Sequence, residues 1–317
     1  MYPFQILNWV AVALHGITAI AMIAIYSSDA SRRSSYKTTY TYLEWRRLDN
    51  YSLPCNGGKI NTTNEGPFCI GQSMPQEQNE LDLGWLVISF HLLSFLFQGF
   101  IGATDYFQVK IPIINVETIR YKDTILDGKN PLRFVEYSIS AAIMLICIAL
   151  LNGVIDDDIL WCIGILTGTC QICGLVAEYI NDYYMKWILH FNGWALFLTA
   201  YGIIYNAFSR SATSDDDIKP PDFVYIIVLV LFLLYASFGF VQLVELTCIG
   251  GNDRCCCFTS KKENLDDKRW FPDYRIKQEN GKSRCNPLYK EMVFVVLSYT
   301  AKILLGWMIF SNVLLIG

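Results

Sequence analysis

The chain has 317 residues, of which 53% are hydrophobic and 17% charged, with a formal net charge of -4. Average globular usage is about 25% charged, and a mean hydropathy of +0.31 points the same way. These values exclude a disordered chain, a collagen-like repeat and a disulfide-scaffold miniprotein, and the acidic balance argues against nucleic acid as a partner.

The apolar residues are clustered. Residues 1–28 carry no Asp, Glu, Lys or Arg, and neither do 83–104, 137–155, 159–177, 187–209 and 223–244; a seventh run, 292–316, is interrupted only by Lys302. A helix rises about 1.5 Å per residue, so roughly 20 apolar residues cross a ~30 Å hydrocarbon core. Each run is near that length, which predicts an all-α, seven-helix integral membrane bundle. The first run lacks a basic leader segment and is too long for a signal peptide, so it reads as a retained span.

Lys and Arg set the orientation. Residues 105–130, Lys186 and 249–290 hold 15 basic residues on one face, against 8 in 29–82, 156–158 and 209–222 on the other. The richer side is predicted to be cytoplasmic, with the N-terminus inside. Residues 29–82 are then an extracellular loop and 249–290 a cytoplasmic one.

The outer loop contains Tyr36-Lys-Thr-Thr-Tyr-Thr-Tyr42, a β-branched and aromatic alternation that predicts a strand. Cys55 and Cys69 flank its Gly- and Asn-rich stretch, and either a disulfide or two free thiols suits them. Asn61-Thr62-Thr63 is a glycosylation sequon. Cys255-Cys256-Cys257 follows the sixth run, where S-palmitoylation and free thiols are both open readings; Cys285 offers no second close pair for zinc. Cys170-x-x-Cys173 lies inside the fourth run and reads as helix packing.

Ionisable groups at membrane depth are expensive and tend to be functional. Lys302 sits near the middle of the last run, so it must be neutral, paired or covalently modified. A desolvated lysine is a good amine for condensing with an aldehyde; the plainer reading is a salt bridge. Glu136 lies near the start of the third span, just ahead of its charge-free run, within Arg133-Phe-Val-Glu136-Tyr137-Ser138-Ile-Ser140. Arg133 and Ser140 share its helix face, so Glu136 is a candidate counterion supported by Arg133 and the serines, or simply Arg133's salt-bridge partner. Ser298 lies one turn before Lys302. Glu178, Glu245 and Asp105 add further carboxylates.

Two of these stretches resemble the heliorhodopsin family: the Arg133–Ser140 motif resembles its third helix, and Ser298-Tyr-Thr-Ala-Lys302-Ile-Leu-Leu-Gly306-Trp307 resembles its seventh, lysine-bearing helix. The inverted topology and long first loop fit as well. The resemblance implies retinal, all-trans in the dark, bound to Lys302 as a protonated Schiff base with Glu136 as counterion and Ser298 beside it. It places Ser94 near that centre and His15 in an inner polar cluster, but puts Gln98 where the family has a second histidine. That departure puts a histidine pair in doubt. Gly174 and Glu178 match a family glycine near the chromophore ring and a buried glutamate one turn later. Tyr137, Trp194 and Phe238 are the candidate pocket aromatics, with ordinary core packing the plainer reading of each, and Trp307 reads as packing or interfacial.

The function so implied is a photosensory receptor without net transport, with a homodimer and a cytoplasmic signalling partner as expected associations. The rival reading is a light-gated or passive proton conductor using the extra carboxylates. A retinal-free receptor or transporter with Lys302 in a salt bridge is the third. No Walker loop, dinucleotide fingerprint, HExxH pair or GxSxG elbow occurs, so an enzyme is not expected.

Overall fold

A computed structural model describes residues 2–28, 35–47, 60–63, 66–106, 109–111, 116–213, 222–249, 275–277, 283–285 and 287–311. Seven helices in it are long and apolar enough to cross a membrane: α1 (Pro3–Ser28), α2 (Leu83–Ala103), α4 (Pro131–Leu151), α5 (Asp157–Tyr179), α6 (Tyr183–Thr213), α7 (Asp222–Ile249) and α8 (Pro287–Ile309). Their most apolar stretches average 1.3 to 2.6 in hydropathy. A short helix, α3 (Tyr121–Leu126), follows α2. Successive spans run in opposite directions, so α1, α4, α6 and α8 begin at one end of the bundle, here the N-terminal end.

Helix starts are written locally. Asp82 accepts the Trp85 N–H at 3.1 Å at the head of α2, and Asp156 accepts the Ile159 N–H at 3.1 Å at the head of α5. Asn130 caps α4, accepting the Arg133 N–H at 3.1 Å just ahead of Pro131. Each cap satisfies a backbone donor that the helix cannot.

The opposite end carries a three-stranded antiparallel sheet. Strand β1 (Ser35–Arg47) pairs with β3 (Gly66–Asp82), which pairs on its other edge with β2 (Ile60–Thr63). The strand expected over Tyr36–Tyr42 falls within β1. The sheet is fastened to the bundle through the Thr39 N–H, which donates to Ile155 O at 2.9 Å, and through Asp82, which accepts from Tyr26 Oη at 2.5 Å. Two small hairpins, β4 (Val109–Ile111) with β5 (Val116–Ile119) and β6 (Arg275–Lys277) with β7 (Ser283–Cys285), flank other connections. Cys55 and Cys255–Cys257 lie outside the described residues, as do the side chains of Cys69, Asn61 and Cys285.

The core is divided along the bundle axis. In the sheet-end half, Met22, Phe90, Leu145, Ile148, Leu305 and Phe310 belong to one continuous buried apolar cluster. At the N-terminal end, Tyr2, Phe4, Ile101, Tyr121, Ile125 and Leu288 pack α3 against α1, α2 and α8. The outward faces are apolar too: Trp161 is 70% exposed, Ile20 69% and Phe191 63%. Such faces suit hydrocarbon rather than water.

Candidate functional site

Helical side chains tilt toward the helix N-terminus, so Lys302 on α8 reaches back toward α2 and α4. Its Nζ donates to Glu136 Oε1, and to Ser94 Oγ at 2.7 Å. Ser94 Oγ donates in turn to the same carboxylate oxygen at 2.7 Å. All three residues are buried, Glu136 to 1% exposure and Lys302 to 3%. A buried ammonium and a buried carboxylate are each costly alone, by several kcal/mol, and tolerable together. The Lys302 amine also lies 5.0 Å from the centre of the Tyr137 ring.

A narrow cavity leads away from the amine, lined among others by Tyr137, Ser140, Met144, Phe238 and Ser298. Gln171, Tyr235 and Phe238 line both this cavity and a second, distal chamber, whose walls include Phe134, Gly174, His190, Trp194 and Gln242. The two form one elongated slot between α4, α5, α6, α7 and α8. Its aromatic walls interlock: Tyr137 meets Phe238 edge-on at 5.7 Å, and Trp194 meets Phe197 at 5.9 Å. Gly174 makes room for the lining, since a Cβ there would fall 2.5 Å from Phe134 Cε1. Tyr137 Oη is tied to Phe294 O at 3.2 Å, whereas the buried hydroxyls of Ser140 and Ser298 have no hydrogen-bond partner. An amine at one end, a carboxylate against it and a long apolar aromatic slot are what a conjugated apolar aldehyde requires.

On the other side of Ser94 lies a histidine pair. His15 Nδ1 and His91 Nδ1 are 3.1 Å apart, and both rings are fully buried; one nitrogen donates and the other accepts. Gly306, one turn past Lys302, gives the second ring its place, because a Cβ there would fall 2.3 Å from His91 Nε2. The doubt raised by Gln98 is therefore corrected. The partner of His15 is His91, which precedes Ser94 by three residues on the same face of α2 instead of following it by a turn. Gln98 is buried nearer the N-terminal end, where its backbone carbonyl accepts from Asn8 Nδ2 at 2.9 Å and its side-chain oxygen has no partner.

A family model described as Heliorhodopsin matches residues 4–254. The chain belongs to the heliorhodopsin family. It is thus a multi-pass integral membrane protein and a retinal-binding photoreceptor of the rhodopsin type. The match runs from α1 through α7 and stops before α8, so Ser298 and Lys302 lie beyond it. A comparison with curated proteins finds no match.

The heliorhodopsin bundle holds a second buried charge cluster at its N-terminal end. Arg133 pairs with Glu178 at 2.7 Å and with Glu291. Lys290 Nζ lies 2.9 Å from both Glu178 and Glu245. Asn130 Nδ2 and Tyr121 Oη each donate to Glu291 at 2.9 Å, and the Asn130 N–H donates to Glu178 at 2.8 Å. Burial pushes the Tyr121 phenol well above its ordinary value, and the Glu291 charge adds to the effect. This corrects the expectation that Arg133 supports Glu136. Arg133 occupies the first turn of α4, so its long side chain is carried past the helix end and away from the Lys302 centre. Asp105, also at this end, accepts from Gln5 Nε2 at 2.6 Å and from the Lys122 N–H at 2.8 Å.

Sequence reasoning missed His91, Lys290, Glu291, Asn130 and Tyr121. Lys290 closes the loop read as 249–290, and Glu291 falls between it and the apolar run that begins at 292. Pro287 was the available signal, since proline favours the first turn of a helix and α8 starts there. Trp307 packs edge-on against Phe310 at 6.0 Å. Cys170 lines the distal chamber beside Gly193, and Cys173 also packs near that glycine.

Proposed function

We propose that Lys302 holds retinal as a protonated Schiff base with Glu136 as counterion, in a photosensory protein without net ion pumping. The observation that carries this reading is the Lys302–Glu136–Ser94 contact at the head of the aromatic slot. When bound, retinal, all-trans in the dark, supplies light absorption and isomerisation; the protein supplies shape and electrostatics. Lys302 fixes the reactive nitrogen. Glu136 balances the positive charge there, and Ser94 bridges the two. Tyr137, Phe238 and Trp194 wall the slot and exclude water. Ser298 and Ser140 hold spare hydroxyls along it, available when the Lys302–Glu136 contact loosens. The His15–His91 pair, one turn from Ser94 on α2, is the buried neutral base that accepts a proton leaving the Lys302 nitrogen.

The excess of Lys and Arg at the N-terminal end of the bundle supports a cytoplasmic N-terminus, with the β1–β3 sheet outside and α3 inside. Two further features support sensing over pumping. Beyond Lys302 toward the sheet end, a continuous apolar cluster fills the bundle, and the Asp82 carboxylate at that end is held by Tyr26 and the Trp85 N–H. Toward the inner end, Glu178, Glu245 and Glu291 are engaged by Arg133 and Lys290. The long connection between α7 and α8 is then the surface for a cytoplasmic partner, and the exposed apolar faces of α5 and α6, with the outer sheet, are the faces for a homodimer.

The test is the visible spectrum after adding all-trans retinal to the expressed protein. Wild type is expected to develop a band and Lys302→Ala none. A band of equal strength in Lys302→Ala would overturn the assignment.

One observation favours a second reading, a light-gated or passive proton conductor. A polar seam runs along α1 and α2 from His15 and His91 past Asn8 and Gln98 to Gln5 and Asp105. Voltage-clamp photocurrents decide. A light-dependent current that reverses with the proton gradient and disappears in Asp105→Asn would replace the sensor reading.

A further inference from the structure

We propose that the distal chamber selects a retinal bearing an oxygen on its ring over unsubstituted retinal. The proposal rests on the reading that Lys302 holds the aldehyde end, since that fixes which end of the ligand reaches the chamber.

An unsubstituted retinal ring is a hydrocarbon and has no use for hydrogen-bonding groups. The chamber nonetheless brings together His190, Gln242 and Gln171, from three different helices. His190 is buried to 4% exposure. Its Nε2 accepts from Trp194 Nε1 at 3.0 Å, so Nδ1 carries the proton. Gln242 lies with His190 in the chamber lining, and its primary amide brings two N–H donors to the chamber. Gln171 lines both the chamber and the cavity at Lys302, so its amide stands along the path of the ligand. Trp194, by contrast, has its single donor occupied and presents only ring surface.

Gln171 and Gln242 are half-buried, and an amide that a bound hydrocarbon ring closes off from water forgoes its hydrogen bonds, which is costly. The same amide facing a ring oxygen recovers one. Two glutamines and an oriented histidine at the ring end thus discriminate by the logic of any site built to pair a polar group: the ligand lacking that group leaves the site unpaired. A carbonyl oxygen on the ring suits the Gln242 donors best, which makes 4-oxoretinal the probe.

The experiment uses the full chain, expressed without chromophore and incubated with an equimolar mixture of all-trans retinal and all-trans 4-oxoretinal. Bound chromophores are released as oximes and counted by chromatography, a readout independent of colour. Wild type is expected to retain 4-oxoretinal in about fivefold excess, the ratio that one net buried hydrogen bond supplies. Gln242→Leu and Gln171→Leu are each expected to cut that ratio toward parity. Equal retention by wild type, or a preference for unsubstituted retinal, overturns the proposal, and so does a preference that both variants leave intact. If neither aldehyde is retained in a Lys302-dependent way, the chromophore assignment itself has failed, and the two failures are thereby told apart.

Discussion

Replacing Arg133 with alanine separates the charge cluster at the N-terminal end from the Lys302–Glu136 centre. Arg133 is 3% exposed and holds Glu178 and Glu291 at once. Its removal strands neither carboxylate completely: Glu178 keeps Lys290 and the Asn130 N–H, and Glu291 keeps Asn130 and Tyr121. Breaking a buried pair from one side costs about 3–5 kcal/mol, and these surviving partners place Arg133→Ala near the lower end, about 3 kcal/mol. That is roughly two orders of magnitude in the unfolding equilibrium. The assay is a denaturing-detergent titration followed by helical circular dichroism, paired with the absorption spectrum of the retinal-loaded protein. Stability is expected to fall while the band maximum stays in place, because Arg133 does not touch Glu136. Arg133→Lys recovers only part of the loss, since a single ammonium cannot reproduce the planar fork. A cost under about 1 kcal/mol, the level of an exposed pair, would refute the buried latch. A displaced band would refute its separation from Glu136.

Three further outcomes follow from the geometry. Glu136→Gln removes the negative charge beside the Lys302 nitrogen and is expected to move the band to longer wavelength; an unchanged spectrum assigns the counterion to another group. Gly306→Ala forces a Cβ into the place of His91 Nε2, so it is expected to break the His15–His91 contact and slow the light-induced proton transfer seen by flash spectroscopy, while a normal photocycle counts against the pair as acceptor. Tyr121→Phe removes a donor to Glu291. Because the folded phenol ionises only well above its ordinary value, wild-type stability is expected to be fully present below about pH 10 and to fall above it, and the variant should lose part of that fall in parallel urea or detergent titrations.

The seven spans were legible because apolar runs of membrane length need no tertiary information. Lys302 and Glu136 were legible for the complementary reason: a charge inside such a run stands out against its neighbours. What the sequence concealed were charges at the ends of runs. Lys290 and Glu291 look like loop residues until α8 is seen to begin at Pro287, and only the fold shows that both turn inward. The Arg133 assignment failed on direction rather than spacing, since two residues three apart share a face yet reach different depths when one side chain is long. His91 was missed because a position in the motif was matched one way along α2 while the contact runs the other. Glycines were similarly mute, since the space that Gly174 and Gly306 leave belongs to Phe134 and His91, both distant in sequence.

Asp82 ends β3 opposite Ser35 on β1, opens α2 by accepting the Trp85 N–H, and accepts from Tyr26 on α1. A one-residue slip of the hairpin would pull this carboxylate from the cap and from the tyrosine together, so strand register and the depth of α2 in the bilayer are a single variable. Ser94 lies about 18 Å further along that helix, at about 1.5 Å per residue. The sheet therefore acts as a depth gauge, setting from the opposite end of the bundle the height at which Ser94 meets Lys302 and His91 meets Gly306.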